Sequence, residues 1–159
     1  MYAHDVARVP SIISVDSDRH WIGLVQSSLS EGGGQAFLEH CDIGRVGRWG
    51  LPTSHAGISR YWRYMATPWD AAKRHGLVPD TILIDGRFRV ASFLYSLVSA
   101  REGAVILFDD YHNRPHYAAI ERFSKPIESH GRMAVFSAAK GFSVDEISRA
   151  IAEFSVDPR

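Results

Sequence analysis

The chain has 159 residues, 45% hydrophobic and 23% charged, with 18 basic and 18 acidic side chains. That length has room for one domain, 1–159, with a single sizeable core, and nothing in the even charge suggests electrostatic capture of nucleic acid or of an acidic membrane. One cysteine, Cys41, excludes an intramolecular disulfide framework, and no apolar run approaches the ~20 residues that span a bilayer. Met1–Pro10 lack the apolar centre of a signal peptide, so the expected setting is cytoplasmic.

In chain order, Ser11–Val15 reads as a strand closed by Asp16-Ser17-Asp18. Asp16 or Ser17 is expected to cap a helix that buries Trp21, Leu24, Val25 and Ser28. Gly32-Gly33-Gly34 follows a helix and precedes a strand, the reverse of the order a phosphate cradle needs, and reads as a plain turn. Gln35–His40 is a second strand. From Gly44 to Met65 the sequence is loop-like, with Trp49, Tyr61, Trp62 and Tyr64 interleaved with Arg45, Arg48, Arg60 and Arg63. Such alternation suits stacking on nucleobases, but neutral net charge favours an irregular insertion that packs its aromatics on the sheet edge. Thr67-Pro68 looks like a helix start and Gly76 like its end.

The most informative stretch is Pro79–Tyr117, which reads as strand, helix, strand. Thr81–Asp85 and Ala104–Asp110 are apolar runs ending on acid, without the polar alternation of a half-exposed strand. Between them Val90, Phe93, Leu94, Leu97 and Val98 form one apolar helical face. A crossover of this kind brings Asp85, Asp109 and Asp110 to the same sheet edge, where ligands of open α/β sheets sit. Beyond it come a short helix at Pro115–Phe123, a last strand at Arg132–Phe136, and a terminal helix. That helix opens on the capping box Ser143-Val144-Asp145-Glu146 and turns Ile147, Ala150, Ile151 and Phe154 inward.

The order of elements and the motifs ISVDSD, LIDGRFR and ILFDDYHNRPHY resemble class I S-adenosylmethionine-dependent methyltransferases, over about Ser11–Phe136. The resemblance implies a Rossmann-like α/β three-layer sandwich with a mostly parallel sheet and a final edge strand that can run antiparallel. It also implies methyl transfer to a small-molecule acceptor, with O-methylation favoured. Asp16, with Asp18 beside it, matches the acid that holds the cofactor ribose; Asp42 matches the acid near adenine; Asp85 ends the strand beside the sulfonium. Asp85, Asp109 and His116 are the implied catalytic groups, and Arg87, Arg114 and Tyr117 the implied acceptor contacts. Within the family, catechol-type enzymes hold a divalent cation at the places of Asp85, Asp109 and Asp110, which adds Mg²⁺ to the expectation.

One departure stands out. The family's glycine-rich loop follows a strand that precedes the acidic one, and here only Met1–Pro10, with no glycine, precede Ser11. The usual first strand and its loop are missing from this sequence. Either the chain starts downstream of the real beginning or it is a relative that has lost cofactor binding and serves as a binding or assembly module. Self-association into a homo-oligomer is compatible with either. A phosphoribosyltransferase also ends a strand on two acids, but the Tyr111–Pro115 stretch lacks the Gly, Ser and Thr its phosphate loop requires. Arginines near the acids have a plainer role too, neutralising them, and Cys41 lacks an activating base.

Overall fold

The computed structural model describes residues 10–29 and 34–159. Gly32-Gly33 of the expected turn lie outside the described residues. Sequence suggests one domain; the chain's contacts group it into two compact units, Met1–Gly76 and Leu77–Arg159. Strand pairing follows the same division, with a two-stranded and a four-stranded sheet. Among the described residues no helix is long and apolar enough to cross a membrane.

In the first unit, β1 (Ser11–Asp16) pairs in parallel with β2 (Gln35–His40), in register from Ser11↔Gln35 to Asp16↔His40. The intervening α1 (Arg19–Ser28) is capped by Asp18, whose side chain accepts from the His20 N–H at 2.8 Å, and not by Asp16 or Ser17. None of its residues is buried, and Trp21 and Leu24 are 49% and 42% exposed. The expected inward face is therefore corrected: its 3.6-residue period is present, but among the described residues nothing covers it fully. The stretch after β2 is not one loop. It contains 3-10 turns at Arg48–Gly50 and His55–Arg60, then α2 (Trp62–Arg74), which packs on β1 and β2. This helix starts five residues before the expected Thr67 and runs through Pro68, which removes one intrahelical donor. Burial of Tyr64, Met65, Ala66, Ala71 and Ala72 offsets that loss.

In the second unit, β3 (Thr81–Ile84), α3 (Arg89–Ser99) and β4 (Val105–Phe108) form the expected parallel crossover. Val90, Phe93, Leu94 and Leu97 are buried as the spacing predicts, while Val98 is 47% exposed. Two 3-10 turns follow, at Tyr111–Asn113 and Pro115–Arg122. Then come β5 (Glu128–His130), β6 (Met133–Ser137) and α4 (Val144–Phe154). The order is β3-β4-β6-β5, and β6 is antiparallel to both neighbours. The expectation of a mostly parallel sheet is thus corrected to a mixed one, in which the antiparallel strand lies inside and β5 forms the edge.

Phe93 packs edge-on against Phe136 at 4.7 Å, and Phe108 meets Tyr117 at 4.8 Å. All four rings are fully buried, each contributing about 1.5–3 kcal/mol on the usual area scale. Ser143 Oγ accepts from the Glu146 N–H at 3.4 Å, as its capping pattern predicts, and Ile147 and Ala150 are buried in an α4 that packs on α3. The C-terminal end of α3 is closed by Lys140. Its ammonium donates to the carbonyls of Leu97 (2.6 Å), Val98 (2.9 Å) and Ala100 (2.7 Å).

Candidate functional site

Parallel register pairs Ile84 with Phe108, so the next residues along, Asp85 and Asp109, emerge side by side at the carboxyl edge of β3 and β4. This is the convergence the two acid-tipped strands predict. Its centre is Arg89, in the first turn of α3 and only 3% exposed. Nη2 donates to Asp85 O (2.8 Å) and Asp85 Oδ1 (3.0 Å). Nη1 reaches Asp109 O (2.7 Å) and Asp110 Oδ2 (3.5 Å), and Nε reaches Gly86 O (3.0 Å). The planar guanidinium fork thus ties both strand ends together, which a lysine could not do.

Asp109 is held from the other side by Arg132, whose Nε and Nη2 donate to its two carboxylate oxygens at 2.8 Å each. Sequence reading missed Arg132. The antiparallel register Phe108↔Ala134, continued two residues, sets Arg132 opposite Asp110, but the signal exists only once β4 and β6 are known to pair. Burial pushes the Asp109 carboxyl up, yet its bonds to Arg132 and to the Asp110 N–H outweigh that and hold it below the ordinary value. Asp85 goes the other way. Partial burial raises it, and the negative charges of Asp109 and Asp110 add to the rise against the pull of Arg89. The two carboxyls hydrogen-bond to each other, and of the pair Asp85 is the one that takes up a proton first as pH falls. Asp85 is also the accessible member, with its side chain 57% exposed against 9% for Asp109.

Two of the three described non-glycine residues at positive φ border this group: Phe88 (φ 53) before α3 and Asp110 (φ 58) after β4. Strained backbone concentrated at a sheet's carboxyl edge is a mark of a functional region. Asp110 opens the next 3-10 turn without a side-chain cap bond and instead faces Arg89, Arg114 (3.6 Å) and Arg132 (3.3 Å).

The expected Mg²⁺ site does not fit these residues. Asp85, Asp109 and Asp110 do converge, but around guanidinium groups, with both oxygens of Asp109 taken by Arg132. Among the described residues no group of three His, Cys, Asp or Glu is arranged to hold a metal. Tyr117, expected at the acceptor, is fully buried against Phe108, so it packs the core and lines no surface. His116 is exposed and meets the Tyr117 ring edge-on at 4.4 Å. Arg114 is 38% exposed and lies 5.9 Å over the same ring. His112 Nε2 bonds Ser129 Oγ at 3.0 Å, and Arg87 is half-buried in the turn before α3.

In the first unit, Asp16 ends β1. Its Oδ1 accepts from the Asp18 N–H at 2.7 Å. The adjacent Ser17 hydroxyl is buried without a hydrogen-bond partner. A carboxylate beside an unsatisfied hydroxyl suits a vicinal diol such as a ribose. Asp18 is committed to the α1 cap. Asp42 is 52% exposed and accepts at Oδ1 from the Gly44 N–H (2.9 Å) and at Oδ2 from Arg60 (2.6 Å). Burial raises the Cys41 thiol, only partly countered by Thr67, and leaves it a poor nucleophile.

No protein-family model and no curated protein matches this chain. Among solved structures it is similar to a methyltransferase-like protein of Silicibacter pomeroyi DSS-3, at 28% sequence identity and a TM-score of 0.80. The match covers 93% of this chain and 77% of that one. The chain has a methyltransferase-like fold.

Proposed function

We propose that the protein is a methyltransferase that moves a methyl group from S-adenosylmethionine to the hydroxyl of a small-molecule acceptor. The observation that carries this is the accessible Asp85, its carboxyl raised above the ordinary value, at the carboxyl end of β3 in a methyltransferase-like fold. When bound, the cofactor supplies an electrophilic methyl on a sulfonium. In-line attack needs little beyond alignment and removal of the acceptor's proton. Asp85 suits that removal, because in its ionised form a carboxyl with a raised pKa is a stronger base than a free one. Asp109, kept ionised by Arg132, orients Asp85 through their shared hydrogen bond. Arg89 fixes the backbone carbonyls of both. His116 is the second candidate for the proton, and Arg87 and Arg114 are the candidates to meet an anionic acceptor group. Asp16 with Ser17 is the first unit's candidate for the ribose diol.

A second reading, a non-catalytic binding module, is favoured by one feature: Asp109 is closed by Arg132, and Asp85 and Asp110 face a buried arginine. Calorimetric titration with S-adenosylmethionine and S-adenosylhomocysteine separates the two. Saturable heat that weakens in Asp16→Ala supports the enzyme; no heat with either ligand selects the module.

A further inference from the structure

The third described non-glycine residue at positive φ is Trp49 (φ 62, ψ 25), and the carboxylate site makes no use of it. A bulky residue in the left-handed region is strained, and such strain persists only where surroundings impose it. Trp49 sits at the tip of a tight hairpin closed by the Val46↔Pro52 bridge. Gly47 N–H donates to Leu51 O (2.8 Å) and Thr53 N–H to Arg45 O (3.0 Å). Below the tip, Gly57 crosses so closely over Ile43 and Gly44 that a Cβ there would drive into the Ile43 carbonyl. The hairpin is thus rigidly based, yet its Trp49 ring is 65% exposed, with the Arg48 guanidinium 5.2 Å above it. Beyond the same 3-10 turn the arrangement recurs: Trp62, 54% exposed, lies under Arg63 at 5.9 Å.

Charge decides what such a surface fits. Ile43–Trp69 contains four arginines and no acid. Arg60 is neutralised by Asp42, while Arg45, Arg48 and Arg63 form no ion pair among the described residues. Net charge averages this local excess away, so the chain-wide balance does not speak against it. Two solvent-facing indoles flanked by guanidiniums outside any described ion pair complement a polyanion that also offers flat faces. From this geometry we infer that Trp49 and Trp62, with Arg45, Arg48 and Arg63, form a binding surface for single-stranded nucleic acid, its bases stacking on the indoles and its phosphates meeting the arginines. An anionic bilayer is the less suited partner, since surface adsorption relies on clusters of about four to eight cations.

The test is fluorescence anisotropy with a labelled mixed-sequence RNA strand of about 12 nucleotides, within the usual site size. Three phosphate contacts predict a slope of log affinity on log salt of about −2, a loss of roughly 20-fold from about 50 to 200 mM salt. Trp49→Gly removes the ring and relieves the left-handed strain, so the hairpin persists while affinity falls about tenfold or more; Trp62→Ala behaves likewise. Arg48→Gln makes the slope shallower by about 0.7, a readout independent of the rings. The inference is overturned by absence of saturable binding at roughly 100 μM protein, the weak end of non-specific affinities. It is equally overturned by unchanged affinity in both tryptophan variants, by equal binding of a duplex of the same sequence, or by binding to phosphatidylserine vesicles without binding to the RNA.

Discussion

Replacing Arg89 with methionine keeps most of the side chain's apolar volume and removes the guanidinium that joins β3 to β4. The change strips hydrogen bonds from the carbonyls of Asp85, Gly86 and Asp109 and leaves Asp85 and Asp110 without their buried counter-ion. Removing one partner of a buried pair costs about 3–5 kcal/mol. Because Asp85 is 57% exposed and Asp110 retains Arg114 and Arg132, water and neighbours recover part of that, and about 3 kcal/mol is expected. For a chain of this size that is a drop in Tm of roughly 10 °C. All four tryptophans lie before Gly76, so their emission reports the first unit, and far-UV circular dichroism in urea is the suitable assay. Arg89→Lys, which keeps the charge without the fork, is expected to fall between the two. A loss below about 1 kcal/mol for Arg89→Met, within the range of an exposed pair, would refute the claim that this residue clamps the two strand ends.

Asp85→Asn tests the proton assignment. A carboxyl whose folded pKa is raised contributes stability at low pH that is lost as pH climbs above its ordinary value of 3.8, so the asparagine variant should be more stable than the parent at pH ~7, with the gap closing toward pH ~4. Urea midpoints across that range decide it, and a gap that widens on acidification contradicts the assignment. Lys140→Met leaves three carbonyls at the end of α3 without their charged donor and is expected to cost about 1–3 kcal/mol by the same urea assay. Gly57→Ala forces a methyl group into the Ile43 carbonyl and should destabilise the first unit by about 1–3 kcal/mol, read from tryptophan emission, whereas Gly131→Ala meets no atom and costs only its left-handed backbone strain.

What sequence made legible is the part governed by local periodicity. The strand–helix–strand of the second unit, the inward face of α3 and the meeting of Asp85 with Asp109 follow from spacing and from the rule that parallel neighbours end together. The first unit was harder to read. Thr67-Pro68 looks like a helix start, but tertiary burial of Tyr64 and Met65 carries the helix back to Trp62 through an internal proline. The apolar period of α1 was visible, although period alone says nothing about whether a partner covers it. Arg132 escaped notice because its proximity to Asp109 depends on antiparallel pairing with β4, a non-local fact. Without it, three clustered acids look like a cation site, and with it they form an ion-pair network.

β3 borders its sheet, and Leu83, at 59% exposure, stands on that border between Asp80 and Asp85. A hydrophobic border strand invites intermolecular strand addition, and charged flanking residues are the usual deterrent. Asp85, proposed above as the base, also stands where such a deterrent charge is expected. Neutralising it to probe chemistry also lowers a barrier to aggregation, so light scattering belongs beside any assay of Asp85→Asn, and Asp80→Asn gives the matched control for solubility alone.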